Sequence, residues 1–116
     1  MFKLKLVAAF LLLLLLLTGC DLLKTQKDDL LFTSVTEVEN QIKKKEWDQA
    51  TSTISDFQEL YNKRKWKIRL LGELDDYKGL EAEVISLKES LREEDEMESR
   101  IAIGQIMHRL HLIYNI

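Results

Sequence analysis

The sequence predicts an all-α protein: a small antiparallel helical bundle of three to four helices after an N-terminal signal helix. Three observations carry this. The chain has no proline and only four glycines in 116 residues, so it lacks the residues that punctuate the turns of sheet proteins. It is rich in Leu, Glu, Lys, Gln and Ile, mostly good helix formers. Beyond residue 30, its apolar residues recur at spacings of three and four, the period of one helix face.

Once residues 1–19 are set aside as a leader, 97 residues remain to fold. A domain of that size buries about 60–70% of the surface its unfolded chain exposes, leaving little interior for a deep catalytic cleft. Removing Lys3 and Lys5 with the leader leaves 15 basic against 20 acidic residues, a formal charge near −5. That balance argues against a nucleic-acid partner.

At the N-terminus, Lys3 and Lys5 precede an unbroken apolar run from Leu6 to Leu17, and Leu17-Thr18-Gly19-Cys20 follows. As a helix the run reaches only about 18 Å, short of the roughly 30 Å hydrocarbon core of a bilayer. It reads as the apolar region of an export signal. Leu-Thr-Gly-Cys in that place resembles the lipobox of bacterial lipoproteins at all four positions. The resemblance implies cleavage before Cys20 and a diacylglyceryl group on its sulfur, whose two acyl chains anchor stably where one does not. With a single cysteine, a disulfide within the chain is excluded. The expected organisation is a signal peptide at 1–19, a lipidated tether at 20–28 and a helical domain at 29–116, held at the extracytoplasmic face of the cell membrane.

In the domain, Leu31, Val35, Val38 and Ile42 form the stripe of a first helix ending near Lys43-Lys44-Lys45, where cations suit the helix dipole. Ser34 and Glu37 offer an alternative, later start as a capping box. A second stripe runs through Trp47, Ala50, Ile54, Phe57, Tyr61, the stem of Arg64, Ile68 and Leu71, and Gly72 is the expected break. Leu74, Tyr77, Leu80, Val84, Leu87 and Leu91 define a third helix. Met97, Ile101, Gly104, Met107 or His108, and Leu110 or His111 define a fourth, with acidic residues ahead of its first turn. No tandem repeat stands out. The segment Lys44–Ala50 is similar to a tetratricopeptide corner, but no second copy follows at about 34 residues, so no superhelical array is expected.

Glu46-Trp47-x-x-Ala50, Trp66, Glu73-Leu74-Asp75 and Leu87-Lys88-x-x-Leu91 together resemble the domain-of-unknown-function 4363 family (DUF4363) over residues 30–113. Members are small bacterial proteins with an N-terminal membrane signal or anchor and a helical domain of about this length. The resemblance implies architecture and no assigned activity. Members often place a histidine just before the acidic corner; here Leu71 and Gly72 stand there, so no role of that histidine carries over.

Few residues form a chemical constellation. His108 and His111 share a helix face but are too few to hold a metal alone, and histidine near a helix C-terminus is expected on dipole grounds. The acidic run Glu93–Glu98 lacks the spaced ligands and central glycine of a calcium loop. No glycine-flanked nucleophile or phosphate loop exists, so neither catalysis nor a cofactor or metal is expected. Lys63, Arg64, Lys65, Lys67 and Arg69 flank Trp66. They read as a solvated helix face pairing with acidic neighbours, and alternatively as a contact for anionic headgroups or cell-wall polymers. Trp47 and Trp66 read first as core wedges at helix ends and second as interaction residues. The expected function is a non-catalytic module that binds another envelope protein, with a small-ligand or ion-binding accessory role as the alternative.

Overall fold

The computed structural model describes residues 2–19 and 26–115. The chain is all-helical, with five helices and no strand among the described residues: α1 (Phe2–Gly19), α2 (Gln26–Lys43), α3 (Trp47–Leu71), α4 (Leu74–Arg92) and α5 (Glu96–Tyr114). Cys20 and the tether as far as residue 25 lie outside the described residues. From Phe2 to Leu14 the residues of α1 are exposed, although all but Lys3 and Lys5 are apolar. Among the described residues no helix is long and apolar enough to cross a membrane.

Helices α2 to α5 form a four-helix bundle in which each packs beside the next and α5 closes back on α2. Connections of two or three residues force successive helices to run antiparallel. The core follows the expected stripe on three helices, with Leu31, Val35, Val38 and Ile42 from α2, Ala50, Ile54, Phe57, Tyr61 and Ile68 from α3, and Leu80, Val84, Leu87 and Leu91 from α4, except that Leu74, expected to open the α4 stripe, is exposed. Helix α2 begins at Gln26, so Ser34 lies inside it and caps nothing, and the last residues assigned to the tether are helical. Gly72 does end α3, in extended backbone. A Cβ there would lie 3.0 Å from Ile113, so close approach to α5, not a left-handed conformation, favours glycine.

The fourth stripe is corrected. Met97, Ile101 and Gly104 face outward, and α5 instead buries Ser99, Ala102, Ile103, Ile106, Leu110, Ile113 and Tyr114. Of the expected stripe, Leu110 is core and Met107 packs against it; apolar residues lie on two sides of α5, and periodicity alone misplaced Met97, Ile101 and Gly104.

The structure also reveals an internal repeat that the sequence hid. Hairpin α2–α3 and hairpin α4–α5 bury matching positions at an offset of 49 residues: Leu31 with Leu80, Val35 with Val84, Val38 with Leu87, Ile42 with Leu91, Ala50 with Ser99, Ile54 with Ile103, Phe57 with Ile106 and Tyr61 with Leu110 are all buried. The turns match too. Lys45 and Glu94 both take positive φ, 58° and 54°. Glu46 N–H donates to Gln41 O as Asp95 N–H does to Ser90 O, and Lys45 N–H donates to Ile42 O as Glu94 N–H does to Leu91 O. Both ends are therefore Schellman caps with a non-glycine residue in the left-handed position. One detail differs: the Asp95 carboxylate caps α5 by accepting from Glu98 N–H at 3.0 Å, whereas Glu46 makes no side-chain cap.

At the position where the first hairpin has Ala50, the second has Ser99, fully buried with an Oγ that has no hydrogen-bond partner. A buried hydroxyl without a partner costs about 1–3 kcal/mol. Ser99→Ala is expected to stabilise the bundle by about 1 kcal/mol, read as a higher midpoint in urea at unchanged slope, while Ala50→Ser is expected to destabilise it.

Candidate functional site

Antiparallel topology brings the start of α2, the end of α3, the start of α4 and the end of α5 to one end of the bundle, the end nearest Cys20 in the chain. Its most unusual feature is a buried carboxylate. Asp28 continues the α2 stripe three residues before Leu31 and is fully buried. Lys67 Nζ donates to its Oδ2 at 2.5 Å, Tyr114 Oη donates to its Oδ1 at 2.8 Å, and Arg64 Nε lies 3.9 Å from Oδ1. An ion taken out of water is tolerated only when paired and hydrogen-bonded, and here partners from α3 and α5 meet that condition. Above the cluster, Phe32 packs against the rings of His111 and Tyr114, with centroids 5.1 and 5.6 Å away.

Between α3 and α4 runs an open groove of about 220 Å³, lined by Phe57, Tyr61, Lys65, Leu80, Glu81 and Val84 among others. Tyr61 Oη donates to Glu81 Oε1 at 3.1 Å, and Lys65 Nζ reaches the same oxygen at 3.1 Å. Farther along, Lys88 Nζ donates to Gln58 Oε1. Burial, followed by the charge and hydrogen bond of Glu81, pushes the Tyr61 phenol above its ordinary value. Burial, followed by the hydrogen bond to Asp28 and its charge, does the same for Tyr114.

The outer side of this end carries exposed apolar residues. Trp66, Leu70 and Leu74 are 62%, 77% and 55% exposed, on the last two turns of α3 and the first turn of α4. Among the known protein families, DUF4363, a domain of unknown function, matches residues 21–116. The chain belongs to the DUF4363 family. Comparison with curated proteins and comparison with solved structures returned no match.

In this DUF4363 chain the two tryptophans occupy opposite ends of α3. Trp47 is half-buried and packs against the core beside the α2–α3 turn. Trp66 is no core wedge: it faces outward. Glu73-Leu74-Asp75 form the corner between α3 and α4, whereas Leu87 and Leu91 are core and Lys88 spans to α3. Histidines 108 and 111 are exposed, and among the described residues no three His, Cys, Asp or Glu side chains converge as metal ligands.

The basic cluster is divided by the fold. Lys63 and Arg69 are exposed, and Arg69 lies 5.8 Å from the Tyr77 ring centre. Lys67 is buried on Asp28, Arg64 is half-buried beside it, and Lys65 pairs with Glu81. The expected pairing with acidic neighbours holds for Lys65 on Glu81 and Lys67 on Asp28, but the face is not solvated throughout, because α3 turns Lys67 and Arg64 toward α2. Asp28 itself was missed in the tether; extending the Leu31 stripe by one step would have placed it on the buried face. Gly79 was missed as well: a Cβ there would fall 2.1 Å from Arg109 Nη1, and that guanidinium crosses α4 to donate to Asp75 O at 3.3 Å.

Removing one partner of a buried ion pair costs about 3–5 kcal/mol. Asp28→Ala is expected to lose about that much in chemical unfolding, with Asp28→Asn losing less because the bond from Tyr114 survives. The alkaline limb follows from the tyrosines. Their folded pKa values lie above the unfolded value of 10.0, so their contribution is complete below pH 10 and is lost as pH rises beyond it. The double variant Tyr61→Phe with Tyr114→Phe is expected to flatten the fall of stability above pH 10, measured against the parent chain.

Proposed function

We propose that this chain is a lipid-anchored, extracytoplasmic helical module that works without catalysis, by binding another protein of the cell envelope. The order of parts along the chain carries the reading: basic residues, an apolar helix, Leu17-Thr18-Gly19-Cys20, then a self-contained bundle beginning at Gln26. The family match begins at residue 21, one residue after the cysteine that would bear the lipid.

The surface favours a protein over a small ligand. Met97 and Ile101 are exposed one turn apart at the start of α5, with Leu112 exposed on the same side near its end, and apolar side chains presented this way on a helix are what a partner covers. The α3–α4 groove is open, and its polar groups Tyr61, Lys65 and Glu81 already bond to one another. That leaves few convergent groups for a ligand.

Native protein is expected to carry a diacylglyceryl mass on Cys20 and to yield one dominant envelope partner in proximity cross-linking in its own cells. Cys20→Ser should abolish recovery of that partner, and Ile101→Glu should weaken it while leaving the lipid in place. An unlipidated chain still bearing Met1, or an unchanged soluble partner set after Cys20→Ser, would contradict the reading.

A further inference from the structure

We infer that the outer face of the α3–α4 corner, formed by Trp66, Leu70 and Leu74 with Lys63, Arg69 and Lys78 around them, seats on the bilayer that holds the anchor. The inference rests on the anchor reading and adds which surface of the bundle meets the lipid.

Three observations converge on it. The first is chain length: the six residue steps from Cys20 to Gln26 span at most about 20 Å even fully extended, so an anchor at Cys20 keeps the start of α2 near the membrane surface. Antiparallel packing puts the end of α3 and the start of α4 at that same end. The second is chemistry. Trp66, Leu70 and Leu74 are the exposed tryptophan and two of the most exposed leucines of the bundle. Tryptophan with leucine is the combination that settles at the boundary between headgroups and acyl chains.

The third is charge. From Asn62 to Gly72 the chain has five cations and no acid. Lys67 and Lys65 are taken up by Asp28 and Glu81, while Lys63 and Arg69 remain exposed on either side of Trp66, with Lys78 exposed on α4. Long basic side chains can lie along apolar surface while their heads reach headgroup phosphates. Glu73 and Asp75 beside Leu74 are also exposed, so the apolar contact carries the seat and the cations make anionic lipid preferable. The far end has no exposed tryptophan, and its exposed lysines Lys43, Lys44 and Lys45 share that end with Glu46, Asp48, Glu93, Glu94, Asp95 and Glu96, so acid outnumbers base there.

Helix α3 provides its own pair of reporters. Trp47 and Trp66 are 19 residues apart on one helix, about 28 Å along its axis. The test uses the full lipidated chain in vesicles of phosphatidylglycerol and phosphatidylcholine whose acyl chains carry bromine, in two single-tryptophan variants, Trp47→Phe and Trp66→Phe. Trp66, alone in Trp47→Phe, is expected to emit at shorter wavelength and lose most of its emission to bromine; Trp47, alone in Trp66→Phe, is expected to keep its emission. Adding Leu70→Glu and Leu74→Glu to the Trp47→Phe chain should restore Trp66 emission with helix content unchanged.

Equal quenching of both tryptophans, or of neither in a chain that sediments with the vesicles and bears the acyl mass, overturns the seat and leaves the anchor standing. A chain that neither sediments nor carries the lipid overturns both.

Discussion

The carboxylate of Asp28 is the constraint around which the bundle end is organised. A buried ion is weak evidence of net stability, because desolvation consumes most of what pairing returns. What it does impose is geometry. Lys67 on α3 and Tyr114 on α5 must both reach the two oxygens of one side chain on α2, so the three helices share one axial register. An apolar residue at position 28 would tolerate small slides of α2; the carboxylate penalises them.

That register matters because of where it lies. Asp28 is on the first turn of α2, within eight residues of Cys20, and the same turns of α3 that supply Lys67 present Trp66 and Leu70 to the outside, opposite the buried Ile68. A lipid anchor attached to a frayed helix would leave the body free to tumble. Attached to a helix locked from inside, the proposed anchor would define which end of the bundle meets the surface and would leave the exposed side of α5 to the proposed partner.

Much of the fold was legible because three helices obey a clean period. Leu31-Val35-Val38-Ile42, Ala50-Ile54-Phe57-Tyr61-Ile68 and Leu80-Val84-Leu87-Leu91 are apolar where neighbours on the other faces are charged. Helix α5 broke the rule: Met97, Ile101 and Leu112 on its outer side are as apolar as Ile103, Ile106 and Leu110 inside. Pattern could not rank them, and the register that won is the one placing small Ser99 opposite the turn, as Ala50 is placed in the first hairpin. The repeat stayed hidden because the hairpins share mainly their buried positions, Leu31/Leu80, Val35/Val84 and Ile54/Ile103 being identical and the surface almost wholly different. The charged cluster escaped for a further reason. Reading Asp and Lys as solvent-seeking is sound on average, and it fails where opposite charges fall on two facing stripes, as Asp28 and Lys67 do.

The claim that the N-terminal end of α2 is locked and not frayed is open to native-state hydrogen exchange on the unmodified chain. The first four amides of a helix have no partner within it, so the informative ones run from Leu30 to Ser34. If Asp28 holds this turn, those amides exchange only through opening of the whole bundle, with the same free energy as amides around Val38 and Ile42. Exchange by local opening at Leu30 to Ser34, while the α2–α3 turn end stays protected, would contradict the account.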